Sequence, residues 1–434
     1  MITPDRIEAE NNTRARTHAR DLDHARELVS RSGSDAELVI AEVARFSAAA
    51  PSWALGTGGT RFGRFPIGGE PRTTGEKVDD VAAINALTGA NRSISLHVPW
   101  DDPADPDALR QYAAERAIAF DAMNSNTFQD NPTTTRDGAI TYKFGSLCHS
   151  DPAVRDAAVE HNHHCIDLGM RLGSTAIIVW LADGTSFPGQ ANFRAQFERV
   201  LDGLRRIYAR LPADWRLFTE HKPYEPQFYS SVVNDWGSSL LLAQGTGDRA
   251  LCLVDLGHHL PNANIEQIVS RLAMAGRLGG FHFNDSKYGD DDLTTGSIKP
   301  YQLFLIFLEL LDAGRSKESP EKTRMPPLAY MIDQSNNLKD PLEDLMQATD
   351  AMQVALAQAL LVDQPALRAA QDANDPALAQ EILHRAFRTD VRPLVAEARR
   401  RNNAALDPIA TYRALAYRTE KIRQRGLNAV ATGI

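Results

Sequence analysis

The stretch Phe218-Thr219-Glu220-His221-Lys222 opens as an apolar, β-branched run and closes on a carboxylate and an imidazole. Val254-Asp255-Leu256-Gly257-His258-His259 and Phe281-His282-Phe283-Asn284-Asp285 repeat that pattern, and Ala329-Tyr330-Met331-Ile332-Asp333 follows the same rule. Strands that present Glu220, Asp255, His282 and Asp333 at their C-terminal ends, in chain order, are what a parallel barrel gathers at its mouth. Three carboxylates with one imidazole suit a hard or borderline divalent ion, with Mn²⁺ first and Co²⁺, Zn²⁺ or Mg²⁺ as alternatives.

Working outward from these strands, short apolar runs are legible at 52–57, 93–98, 120–126, 176–181, 216–220, 251–256, 280–284 and 328–333. They are near-continuous rather than alternating, as for strands covered by helices. Helical periodicity predicts helices over 105–119, 152–172, 191–211, 228–245, 264–278 and 298–314. Alternation of this kind predicts an α/β fold, a (β/α)8 TIM barrel over residues 51–340. Residues 1–50 read as helices (5–31 and 35–49) packed on that barrel, and 315–326 as an exposed charged loop. Residues 341–434 read as a helical extension (341–362, 365–372, 376–388, 390–402 and 408–424), long enough to wrap a neighbouring subunit.

Bulk properties narrow the classes. The chain has 434 residues, 43% of them hydrophobic, so a large core is available, and its formal net charge is −9. That balance argues against nucleic acid as a partner. Three cysteines, Cys148, Cys165 and Cys252, give no disulfide framework. The N-terminal stretch mixes acids and bases without a secretion-like apolar run, and the apolar run Leu303–Leu308 is far short of a membrane span. The expectation is a cytoplasmic protein.

A second tier of residues surrounds the first. His258 and the acidic run Asp290-Asp291-Asp292 fall on loops above the same face. Asp290 and Asp292, at i and i+2, would present both carboxylates to one side of an extended loop. With His258 they suit a second metal, bridged to the first by Glu220. The plainer reading of an acidic triplet is a solvated loop tip. Lys222 stands two residues past Glu220 and would share its side if the strand continued, where it can bind a substrate oxygen. His97 ends the second strand and can exchange a proton with a sugar hydroxyl, although a lone histidine is more often structural. Trp53 and Trp180 end the first and fourth strands, as packing faces for sugar C–H surfaces or as core residues. The run from Gly56 to Arg61 lacks the third glycine of a dinucleotide fingerprint, so no nicotinamide is expected.

Several blocks carry a family resemblance: Trp53 to Pro66 (WALGTGGTRFGRFP), Phe120 to Phe128 (FDAMNSNTF), Phe218 to Pro226 (FTEHKPYEP), Cys252 to His259 (CLVDLGHH), Phe281 to Asp292 (FHFNDSKYGDDD) and Met331 to Ser335 (MIDQS). From about residue 1 to about residue 420 the chain resembles the bacterial L-rhamnose isomerases of broad specificity. The resemblance implies a homotetrameric, metal-dependent aldose–ketose isomerase on a (β/α)8 barrel. It implies a structural metal at Glu220, Asp255, His282 and Asp333, and a catalytic metal at Glu220, His258, Asp290 and Asp292. Implied substrate contacts are Trp53, His97, Trp180, Lys222 and Ser335, with Phe62 closing the neighbour's site. L-rhamnose, L-mannose, L-lyxose and D-allose are the implied aldoses. Asp333 or His97 would promote ring opening, a 1,2-hydride shift would follow, and Lys222 would steady the oxygen at C1. An enediol route as in sugar epimerases, a metal-dependent phosphodiesterase and a non-catalytic binding protein are the alternatives.

Overall fold

The polypeptide opens with two helices, Pro4–Arg31 and Ala36–Arg45, and then enters a ring of parallel strands. The computed structural model describes residues 2–56, 65–130, 140–225, 227–315, 327–335 and 338–427. Phe62, nearly all of the Gly56–Arg61 loop and nearly all of the 315–326 loop lie outside the described residues. The barrel strands are β1 (Ala50–Pro51), β2 (Ser93–Ser95 with His97–Val98), β3 (Ala119–Phe120 with Met123–Ser125), β4 (Ala176–Trp180), β5 (Arg216–Glu220), β6 (Ala250–Asp255), β7 (Leu278–Phe283) and β8 (Ala329–Ile332). Each pairs in parallel with the next. The circle closes where Ala49 donates to Tyr330 O at 2.8 Å and accepts from Ile332 N at 3.0 Å.

Side chains alternate across these strands. Ala49, Ala122, Ala176, Ile178, Phe218, Leu251, Leu253, Ala329 and Met331 form the barrel's own interior. Their neighbours, such as Ile177, Leu217, Val254, Phe281 and Phe283, belong to the larger core between strands and helices. Among the described residues five helices open on an Asp-Pro pair, at Asp105, Asp151, Asp340, Asp375 and Asp407, each aspartate accepting one or two backbone N–H groups of the first turn. Proline at the first helical position gives up no hydrogen bond there, so the pair is a start signal.

Several sequence expectations are corrected. The predicted strand 52–57 is a single 3-10 turn, Ser52–Ala54, because Ser52 Oγ turns away to donate to the Asp101 carboxylate. The predicted helix 228–245 begins only at Trp236; Ser230–Ser231 instead pairs antiparallel with Gly184–Thr185. A helix over Thr74–Thr88, unmarked by amphipathic periodicity, joins β1 to β2 and buries Lys77 and Asp80. The predicted helix 408–424 breaks at Ala416, whose φ is 50°.

The C-terminal extension folds back on its own chain. Helix Pro341–Leu360 lies against helices Pro300–Arg315, Ala36–Arg45 and Thr74–Thr88. Arg425 reaches Asp80 at 2.7 Å, and Arg418 with Tyr412 holds Asp340. Among the described residues no single helix is long and apolar enough to cross a membrane.

Candidate active site and metal centre

Strand parity places the chemistry. Residues paired across a parallel ladder share a face, so Glu220, level with Leu253, points inward as Leu253 does. The same reasoning places Asp255, level with His282, and His282, level with Met331. Asp333 follows Met331 by two residues. The four residues are therefore the uppermost inward layer of β5 to β8.

Their ligand atoms, one per residue, lie within 4.8 Å of one another. His282 Nδ1 is 3.1 Å from Glu220 Oε1, 3.4 Å from Asp333 Oδ2 and 3.7 Å from Asp255 Oδ2. The two oxygens of Asp255 are used differently. Oδ1 accepts from Gly257 N at 2.7 Å, His258 N at 3.2 Å and Asn284 Nδ2 at 2.9 Å. Oδ2 is buried and accepts no hydrogen bond. A Cβ at position 257 would come within 3.2 Å of Asn284 Oδ1 and 3.3 Å of Asp255 Oδ1, so only glycine leaves this packing undisturbed.

Electrostatics agree with a cation's place. Burial pushes the Asp255 carboxyl up to about 7, against the pull of His258. Burial also raises Asp333, which His282 and the Trp53 N–H at 2.7 Å partly offset. Burial would raise Glu220 too, but the charges of His282 and His258 hold it well below the usual carboxylate range. His282, which burial alone would lower, is lifted to about 9 by Glu220. Protons on imidazoles thus supply the positive charge that buried carboxylates require. A divalent ion would displace those protons and engage Asp255 Oδ2. The donor set fits a divalent metal.

The second set is arranged differently. His258 points Nδ1 at Glu220 Oε1, 3.1 Å away, and Nε2 at Asp290 Oδ1, 3.0 Å away. The loop through Asp290 and Asp292 is not extended: each has φ of 47°, a left-handed conformation that aspartate tolerates better than most residues. Both nevertheless line the cavity. Lys222 does not continue β5, which ends at Glu220. Its N–H bonds Val233 O, and its Nζ sits 2.6 Å from Glu225 and 2.5 Å from Asp290. It is placed behind Asp290 and 5.4 Å from the Trp180 ring. The Ser335 N–H donates to Asp292 O at 3.0 Å.

An aromatic wall adjoins the carboxylates, with Trp53 hydrogen-bonded to Asp333. His97 lies 5.6 Å from Trp53, 4.9 Å from Trp100 and 6.0 Å from Phe128, ring to ring, and Phe128 lies 4.7 Å from Trp180. The Asp101 carboxylate fixes the His97 turn by accepting its N–H at 2.9 Å, and is itself paired with buried Lys77 at 2.6 Å. The cavity's lining brings together Trp53, His97, Trp180, Glu220, His258, His282, Asp290, Asp292 and Asp333. Asp255 supports it from behind. Asn124, Ser125 and Phe128 also line it, without having been singled out from the sequence. His221 and His259, next in sequence to ligands, pack on each other at 4.7 Å and take no part in the lining.

Comparison with known proteins agrees with this geometry. The xylose isomerase-like TIM-barrel family matches residues 82–307. The chain is 53% identical over 425 residues to a probable sugar isomerase of Mesorhizobium japonicum, covering 98% of this chain and 96% of that one. It is 52% identical over 435 residues to a probable sugar isomerase of Rhizobium meliloti, covering 100% and 98%. The structure of an L-ribulose 3-epimerase superposes with a TM-score of 0.53 at 17% identity, over 72% of this chain and 96% of that one, a likeness of fold. With so much of its length shared, this chain belongs to the xylose isomerase-like TIM-barrel family and to the sugar isomerases within it.

Proposed function

We propose that this protein is a metal-dependent aldose–ketose isomerase that interconverts L-rhamnose and L-rhamnulose and accepts related aldoses such as D-allose, L-mannose and L-lyxose. The observation that carries the reading is the buried Asp255 Oδ2, which has no hydrogen-bond partner and faces three further ligand atoms at the mouth of a cavity with an aromatic wall. Glu220, Asp255, His282 and Asp333 would hold one divalent ion, and Glu220, His258, Asp290 and Asp292 a second, with Mn²⁺ the first choice. Bound there, such ions would supply Lewis-acid polarisation of the substrate's oxygens.

The remaining work falls to the chain's own groups. His97 or Asp333 moves the proton that opens the sugar ring. Trp53, Phe128 and Trp180 cover the apolar face of the open chain and keep bulk water from the reacting carbons. As hydride passes from C2 to C1, a proton passes from O2 to the oxygen at C1, so the isomerisation neither gains nor loses a proton overall. Lys222, paired with Asp290, places positive charge near the oxygen at C1. No nicotinamide is required, because the hydride stays within the substrate. We also propose a cytoplasmic homotetramer.

The test is ketose formation from L-rhamnose deuterated at C2, with Mn²⁺, before and after EDTA. Activity that EDTA abolishes and Mn²⁺ restores, with deuterium retained in the ketose, is expected. Activity indifferent to EDTA would remove the metal role, and washout of deuterium into water would replace the hydride shift by an enediol route.

A further inference from the structure

β3 contributes one inward side chain to which the site described above assigns no part, Asn124. In the parallel ladder Asn124 is level with His97 on one side and Ile178 on the other, and it follows the inward Ala122 by two residues. It lines the same cavity.

The orientation of its amide is fixed. Nδ2 donates to Leu96 O at 3.2 Å and Ala122 O at 3.4 Å, two carbonyls that can only accept. Reversing the amide would set Oδ1 against both carbonyls. Oδ1 is therefore turned away from the strand, and among the described residues none donates to it. Strand three of an eight-stranded barrel lies across from strand seven, which carries His282. Asn124 and the cluster residues Glu220, His282 and Asp333 line one cavity, so a sugar held at the cluster has Asn124 within the same enclosure.

We infer that Asn124 is a specificity-determining residue whose Oδ1 accepts a hydrogen bond from a substrate hydroxyl beyond C2. This rests on the aldose–ketose isomerase reading. A site that pairs with a hydroxyl rejects the analogue lacking it, because the site's polar atom is then left without a partner.

The test uses Mn²⁺-loaded full-length protein and whichever of L-rhamnose, L-mannose, L-lyxose and D-allose turns over fastest, with deoxy analogues lacking one hydroxyl beyond C2. In the wild type, one analogue should lose roughly tenfold more in kcat/KM than the others. In Asn124→Ala the parent sugar should fall by that same factor, chiefly through KM, while the sensitive analogue is unaffected. Asn124→Gln, which keeps both the amide donor and the acceptor, should recover part of the preference. Mn²⁺ affinity measured by calorimetry should not move. Equal losses for the parent and every analogue in Asn124→Ala, or a wild type indifferent to every hydroxyl beyond C2, would overturn the inference. Absence of turnover of all four sugars by the wild type would instead strike at the isomerase reading itself.

Discussion

At the scale of single residues, the convergence of Glu220, Asp255, His282 and Asp333 was legible because each stands at or beside the C-terminal end of its strand, so periodicity and chemistry fall together. Partners that reach a ligand from another strand were not legible. Asn284 sits two residues past His282, an unremarkable place in the sequence, yet its Nδ2 joins two backbone N–H groups on Asp255 Oδ1. That arrangement leaves Asp255 only Oδ2 to offer a bound ion. Asn284→Leu should leave Asp255 free to rotate and weaken divalent-ion binding by roughly 10–100-fold, the usual cost of losing such a support. Titration calorimetry with Mn²⁺ reads this without any need for turnover; an unchanged affinity would mean that the two backbone donors suffice. The local path of the chain at Lys222 was not legible either. Its place in sequence suggests a side chain facing the sugar directly, but the strand stops at Glu220 and the ammonium pairs with Glu225 and Asp290. Where a strand ends is set by tertiary hydrogen bonds, here Lys222 N–H to Val233 O, and single-sequence periodicity does not carry that information.

Elements follow a similar division. β4 to β8 were legible from apolar runs because both of their faces are buried. β2 and β3 are interrupted, and the register between them slips by one residue between Ile94↔Phe120 and His97↔Asn124. Helix Thr74–Thr88 escaped notice because charged residues occupy its buried face. One of those, Lys77, connects the helix to the site: it holds Asp101, which holds the His97 backbone. Burial would raise the Asp101 carboxyl, but Lys77 keeps it below the usual range and therefore charged. Lys77→Met would leave that carboxylate buried and unpaired, at a cost of roughly 3–5 kcal/mol. The expected signature is a lowered thermal midpoint and a fall in kcat/KM, with Mn²⁺ affinity intact because no ligand moves. A variant as stable as the parent would show that Ser52 and the His97 N–H satisfy Asp101 by themselves.

Across the whole molecule, the two ends of the chain are tied together beside the barrel. Glu397, in helix Arg392–Arg401, accepts from Arg400 at 2.7 Å and Arg401 at 3.0 Å, and meets His18 of the first helix at 3.2 Å. Arg401 also reaches Glu37 of the second helix at 2.6 Å. The sequence marks these segments as helices but not as neighbours, because the ion pairs span more than 350 residues. Hydrogen bonds from Arg400, with help from His18 and Arg401, lower the Glu397 carboxyl from 4.5 to about 2. A depressed carboxylate stabilises the fold fully above its unfolded value, and that stabilisation drains away as pH falls from about 4.5 toward about 2. Arg400 and Arg401 are partly in water, so screening reduces the contribution to about 1 kcal/mol. Glu397→Gln should therefore melt about 1–2 °C below the wild type near pH 7. Near pH 3, where much of the wild-type advantage has been titrated away, the two melting curves should draw together. A gap that persists unchanged into acid would assign the loss to packing rather than charge, and the helices at the chain ends would then be held by their apolar faces alone.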